Sequence, residues 1–226
     1  MSAANVAPAQ WLALGDSYTI GEGVALHESY PYQTLQRLRA AGHALAAPEV
    51  VARTGWTTDE LQAHLAATRR LPRYDLATLL IGVNNQYRGR PLAAGMADFE
   101  ALLQLAIAAV GGAPERVAVL SIPDWGRTPF ARKVERDAAQ VGRDIDAWNA
   151  AQAAAAARAG VHYIAHTEAG RERINDAGHL AEDGLHPGPA EYAQWAQPLA
   201  AWMAAQLLAT PPAADRPLAG SPARRP

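Results

Sequence analysis

A short apolar run, Trp11-Leu12-Ala13-Leu14, breaks into Gly15-Asp16-Ser17. A serine at the carboxyl end of a buried strand can act as a nucleophile. It needs an imidazole that reaches its hydroxyl and a carboxylate that fixes the imidazole's tautomer. Near the other end of the chain, two histidines each follow an aspartate by three positions: Asp176 before His179, and Asp183 before His186. That spacing lets the carboxylate accept from Nδ1–H within one turn and leaves Nε2 as the base. Both pairs satisfy it, so spacing alone does not choose. His186 lies in His186-Pro187-Gly188-Pro189, directly ahead of the last helix, which ranks Asp183/His186 first and Asp176/His179 second.

Acyl transfer also needs donors aimed where negative charge develops on the carbonyl oxygen. The Ser17 backbone N–H at a strand-to-helix turn is one candidate. Gly55, in Arg53-Thr54-Gly55-Trp56, is a second, because a side chain there would obstruct close approach; the Asn84 amide in Gly82-Val83-Asn84-Asn85 is a third. Other chemistries are excluded. Thr19 stands where the α/β-hydrolase elbow carries its second glycine, no P-loop lysine motif occurs, and Gly21-Glu22-Gly23-Val24-Ala25-Leu26 lacks the third glycine of a dinucleotide fingerprint. His162 and His166 suggest no third ligand, so no metal site is expected, and the chain holds no cysteine.

The elements that must position these residues alternate. Strands are expected at Gln10–Leu14, Pro48–Ala52, Leu76–Ile81, Arg116–Ser121 and Val161–Ala165. Helices are expected from Ser29, as cap, to Ala41; from Thr58 to Ala67; over Ala93–Val110; from Val134 to Ala159; and from Pro189 to Ala209, the last kinked or split at Pro198. Such alternation implies a parallel sheet covered on both faces, with active residues in the loops at the strands' carboxyl ends. Residues 1–209 read as one domain, and the Pro-, Ala- and Arg-rich stretch 210–226 as a disordered tail.

With 50% hydrophobic and 19% charged residues in 226, the chain is globular. A formal net charge of −2 without a basic face argues against a nucleic-acid partner. No window approaches the roughly 18 continuous apolar residues of a membrane span. The first ten residues carry no Lys or Arg and no long apolar run, so no secretory signal is read and a cytoplasmic location is expected.

Taken in order, these pieces resemble the SGNH, or GDSL-type, hydrolase family. Gly15-Asp16-Ser17 is similar to its first block, Gly55 to the glycine of the second and Asn84 to the asparagine of the third. Asp183-Gly184-Leu185-His186-Pro187, with Tyr192 beyond it, is similar to the last block. The resemblance favours Asp183/His186, since no proline follows His179 directly. It implies a three-layer α/β/α fold around a five-stranded parallel sheet, flavodoxin-like in form. It also implies a cofactor-free carboxylic ester hydrolase with Ser17, Asp183 and His186 as catalytic residues. The Ser17 and Gly55 N–H groups and the Asn84 amide would form the oxyanion hole. One position departs: Asn85 stands where the third block usually carries aspartate.

The expected partner is a small-molecule ester: a short acyl ester, an acetylated carbohydrate, a lysophospholipid or a thioester. Tyr18, Trp56, Asn85, Tyr87, Arg88 and Trp125 are the candidate substrate contacts, with Arg88 or Arg127 able to receive an anionic group. The rival expectation is a module of the same fold that binds an acyl, sugar or anionic ligand without hydrolysis. Such a module would need the Ser17 turn but not Asp183 and His186.

Overall fold

The structure, a computed structural model, describes residues 7–67 and 73–209. The tail read at 210–226 lies outside the described residues.

Five parallel strands form one sheet in the order β2-β1-β3-β4-β5: β1 (Trp11–Asp16), β2 (Glu49–Arg53), β3 (Leu76–Leu80), β4 (Val117–Leu120) and β5 (His162–Ile164). The helices are α1 (Ser17–Ile20), α2 (Tyr30–Ala40), α3 (Thr58–Ala67), α4 (Val83–Tyr87), α5 (Leu92–Ala109), α6 (Pro129–Lys133), α7 (Ala138–Ala159), α8 (Thr167–Glu172) and α9 (Pro189–Ala209). The fold is therefore the three-layer α/β/α sandwich expected from the sequence.

Alternation along each strand builds the three layers. Trp11 and Ala13 of β1, Leu76 and Leu80 of β3, and Ala118 and Leu120 of β4 join one core with Tyr30, Leu35 and Leu38 of α2 and Trp195, Leu199 and Met203 of α9. Leu12, Leu14, Ala77, Leu79, Val117 and Val119 face the other way, onto Leu61 and Leu65 of α3 and Phe99, Leu102 and Leu103 of α5. Strands buried on both faces read as continuous apolar runs, which is why β1, β3 and β4 stand out in the sequence.

From β1 the chain first adds β2 on one side, then crosses back to place β3 on the other. The carboxyl end of β1 is thus the topological switch point, where adjoining loops diverge and open a crevice. Gly15 permits the tight exit there. A Cβ on it would lie 2.1 Å from Thr19 Oγ1 and 2.5 Å from the Leu80 carbonyl oxygen.

Three expectations are corrected and one is refined. α9 runs unbroken through Pro198, whose ring and the Gln194 turn below it are solvent-exposed, so water can serve the carbonyl that proline leaves without a donor. The helix expected from Val134 begins at Ala138, capped by Asp137, and a separate short helix, α6, precedes it. Ser29 stands at the N-cap of α2 as expected, but without a side-chain cap: its hydroxyl donates instead to the Leu26 carbonyl at 2.8 Å. Finally, α5 is long and apolar enough to cross a membrane, although Asp98, Glu100 and Gln104 interrupt its apolar run. Here it packs Phe99, Leu102, Leu103 and Ala106 into the core and pairs Glu100 with Arg158 at 2.7 Å.

Candidate active site

Ser17 is the first residue of α1, and the Asp16 carboxylate caps that helix by accepting from the Tyr18 N–H at 3.1 Å. The turn holds the Ser17 hydroxyl at the crevice. His186 Nε2 lies 3.0 Å from Ser17 Oγ, and His186 Nδ1 lies 2.5 Å from Asp183 Oδ2. The second aspartate oxygen accepts from the Leu185 and His186 backbone N–H groups at 2.9 and 3.0 Å. Burial pushes the Asp183 pKa up, but the His186 imidazole and these two N–H groups outweigh it and hold the carboxyl below the usual range. Asp183 is thus kept ionised beside an imidazole whose other nitrogen faces a hydroxyl.

The second Asp-x-x-His pair is not assembled. His179 Nδ1 turns to Glu191 Oε2 at 3.1 Å, and its backbone N–H, not its ring, meets the Asp176 carbonyl at 3.1 Å. Glu191 is buried, only 3% exposed, and also accepts from Arg173 Nε and Nη2, both at 2.8 Å, and from Trp195 Nε1 at 2.9 Å. Burial opposes ionisation of Glu191, yet His179, Arg173 and Trp195 pull its pKa down to about 2. This anionic hub underlies the loop that carries Asp183 and His186. The His179 carbonyl accepts from the Gly188 N–H at 2.7 Å, and the His186 carbonyl accepts from the Ala181 N–H at 2.8 Å.

The remaining donors converge on the same crevice. Residues 53–56 form a turn closed by the Trp56 N–H on the Arg53 carbonyl at 3.1 Å, with Gly55 at φ +80°. A positive φ at the third position is the signature of a type II turn and favours glycine there. The Gly55 N–H takes no hydrogen-bond partner among the described residues. Asn84 Nδ2 donates to the Trp56 carbonyl at 3.0 Å and, at 3.4 Å, to Asp16 Oδ2. Burial lifts the Asp16 pKa to about 7, against the pull of the Tyr18 and Asn84 donors.

Beside Ser17 lies a cavity of about 120 Å³ lined by Tyr18, Val83, Asn84, Tyr87, Trp125, Phe130, Leu185 and His186. Three of its lining rings pack on one another. Trp125 packs 5.2 Å from Tyr87 and 6.2 Å from Phe130, and its indole N–H donates to Gln86 Oε1 at 2.8 Å. Tyr18, Tyr87 and Trp125 therefore line the cavity, as their loops suggested.

Three other candidate contacts do not line it. Asn85 is 1% exposed; its Oδ1 accepts from the Thr58 N–H at 3.0 Å and its Nδ2 donates to the Thr58 hydroxyl at 2.8 Å, pinning the start of α3. The Trp56 indole packs 4.8 Å from the His64 ring, and only its backbone carbonyl bears on the site. Arg88 is engaged with protein groups, donating from Nη2 to the Gly55 carbonyl at 2.6 Å and from Nη1 to Glu60 at 3.2 Å.

Phe130, Val83 and Leu185 were missed as lining residues, as was the Glu191 hub. Thr128-Pro129 marks the start of α6, through an N-cap threonine and a proline in the first turn, and could have located Phe130. No local signal marks Glu191. His162 and His166 both lie against tryptophans. They stack on Trp202 and Trp195, burial pushes the His166 pKa down to about 3, and no group of three metal-ligating side chains occurs among the described residues.

Comparison with known proteins agrees with this architecture. Solved structures with the same fold include one of TesA (20% identity, TM-score 0.62, covering 88% of this chain and 97% of that one). The lipase/acylhydrolase from Enterococcus faecalis is similar to the same extent (19%, TM-score 0.63, 88% and 95%). So is an esterase, EstA, from Pseudoalteromonas sp., in a structure inhibited by monoethylphosphonate (18%, TM-score 0.58, 89% and 97%). Among curated proteins no sequence matches. The family model of the GDSL-like lipase/acylhydrolases matches residues 13–194, from β1 past the Asp183–His186 loop. The chain belongs to the GDSL-like lipase/acylhydrolase family of ester hydrolases.

Proposed function

We propose that the chain is a serine esterase that hydrolyses carboxylic esters of short acyl chains through an acyl-enzyme on Ser17. The observation that carries this reading is the continuous contact chain from Ser17 Oγ through His186 to Asp183, at 3.0 and 2.5 Å. In the proposed reaction His186 Nε2 takes the hydroxyl proton as Ser17 Oγ attacks the carbonyl carbon, and Asp183 stabilises the imidazolium. The oxyanion is met by the Ser17 and Gly55 N–H groups and by Asn84, which exchanges its longer bond to Asp16 for the substrate oxygen. Collapse of the intermediate expels the alcohol with the proton from His186. Water then attacks the acyl-enzyme by the same route and restores the serine.

The acyl length follows from the cavity. Its volume of about 120 Å³, lined in part by Tyr87, Trp125 and Phe130, is small beside the roughly 300–1,000 Å³ of drug-sized ligand sites. That favours a chain of a few carbons over a lysophospholipid's fatty acyl group.

A fluorophosphonate probe tests the nucleophile on wild type, Ser17→Ala, His186→Ala and His179→Ala. Labelling of wild type and His179→Ala, with loss in Ser17→Ala and strong slowing in His186→Ala, is expected. An unlabelled wild type would favour a binding module of the same fold. A series of p-nitrophenyl esters then reads acyl preference, and a maximum at long chains would overturn the short-acyl assignment.

A further inference from the structure

Arg88 makes two connections at once. Its backbone N–H donates to the Asn84 carbonyl at 3.1 Å, and its guanidinium donates through Nη2 to the Gly55 carbonyl at 2.6 Å. Nη1 is held by both oxygens of Glu60 at 3.2 and 3.3 Å, and Glu60 in turn accepts from the Thr57 N–H at 2.9 Å. Together with the bond from Asn84 Nδ2 to the Trp56 carbonyl at 3.0 Å, the carbonyls of Gly55 and Trp56 are both gripped by α4 and its C-cap. The turn that presents the Gly55 N–H is thus fixed at two successive peptides against the helix that carries Asn84.

We infer that Arg88 is a positioning residue for the oxyanion site, holding the Gly55 and Asn84 donors in one mutual geometry. The inference rests on the ester-hydrolase reading above. Glycine has no Cβ to restrict its rotation, so the Gly55 N–H keeps its direction only if its neighbours are held. Donors fixed before the reaction need no reorganisation when charge forms, and this benefit is realised in the transition state rather than in substrate binding. Arg88 is the one side chain donating to the Gly55 carbonyl among the described residues. With Nη1 and Nη2 committed to Glu60 and Gly55, the guanidinium serves the protein rather than an anionic substrate group.

The test compares wild type, Arg88→Ala, Arg88→Lys and a remote control, Arg158→Ala. The readouts are kcat and KM on a short p-nitrophenyl ester, melting temperature, and nuclear magnetic relaxation of the Gly55 and Ser17 amides. For Arg88→Ala we expect kcat to fall on the order of ten- to a hundredfold at little-changed KM. The Gly55 amide should gain mobility while the Ser17 amide does not. Guanidinium ion should restore part of the rate, Arg88→Lys should fall in between, and Arg158→Ala should match wild type. A Gly55 amide as rigid in Arg88→Ala as in wild type would overturn the inference, as would a loss confined to KM, which would make Arg88 a substrate contact. If wild type hydrolyses no ester, the proposed activity fails, and the Gly55 relaxation still decides whether Arg88 holds the turn.

Discussion

Asp16 Oδ2 meets Asn84 Nδ2 at 3.4 Å across the carboxyl edge of the sheet, while Asp16 Oδ1 caps α1 through the Tyr18 N–H at 3.1 Å. The residue before the candidate nucleophile is thus a fully buried carboxyl between two donors, and burial dominates its titration.

Its pKa of about 7 in the folded protein exceeds the ordinary value of 3.8, so the folded chain holds a proton that the unfolded chain releases. The stability contributed by protonated Asp16 is fully present below about pH 4 and is lost as pH rises to about 7. Relative to Asp16→Asn, which cannot titrate there, wild type should lose on the order of 4 kcal/mol over that window. Urea unfolding of both proteins at pH 4, 5.5 and 8 measures the difference. A difference independent of pH would contradict the assignment.

Asp183→Asn keeps an oxygen for the Leu185 and His186 N–H groups but turns an amide NH₂ toward His186 Nδ1. The imidazole would then carry its proton on Nε2, the nitrogen facing Ser17, and could not act as base. We expect kcat to fall on the order of ten-thousandfold with the melting temperature little changed. Steady-state kinetics on a p-nitrophenyl ester read the loss, and a fall below tenfold would show that Asp183 is dispensable.

Glu191 titrates in the opposite sense to Asp16. Its folded pKa of about 2 lies below the ordinary 4.5, so its contribution is present above about pH 4.5 and is lost as pH falls toward 2. Glu191→Gln should cost about 3 kcal/mol at pH 7, and the deficit should shrink on acidification through that range. Chemical denaturation at pH 7 and pH 3 checks both the size and the trend. Because the hub underlies the Asp183–His186 loop, the variant should also lose activity at temperatures where the domain is still folded.

Phe130 lines the cavity beside Ser17, where the proposed reaction seats the acyl group, with Trp125 and Tyr87, and stands on the short helix α6, whose Phe130 N–H donates to the Gly184 carbonyl at 3.1 Å. Phe130→Ala keeps that backbone bond and enlarges the cavity. The optimum in a p-nitrophenyl ester series should move to longer acyl chains, with kcat/KM on the shortest esters reduced. An unmoved optimum would place the acyl group elsewhere.

Much of this was legible from local patterns. Apolar runs ending in glycine marked β1 and β3, because strands buried on both faces have no polar side to disguise them. Helix starts at Thr58 and Pro189 were equally plain. The break between α6 and α7 was not, since exposed residues 132–140 carry no apolar periodicity to show where one helix stops.

By itself the sequence determined which side chains could do chemistry: a serine at a strand end, a turn glycine, an amide and two Asp-x-x-His pairs, of which position and the family resemblance already favoured Asp183/His186. Only the tertiary structure decided what each side chain meets. It set His186 on Ser17 and turned His179 to Glu191. It buried Asn85 against Thr58 and drew Arg88 from the substrate rim to the Gly55 carbonyl. The reason is physical. Spacing of three along the chain fixes which backbone turn a pair can share, but a hydrogen bond needs a partner within about 3 Å. For these residues that partner comes from elements 12 to 169 positions away in the chain, brought together by a sheet whose order the local sequence does not encode.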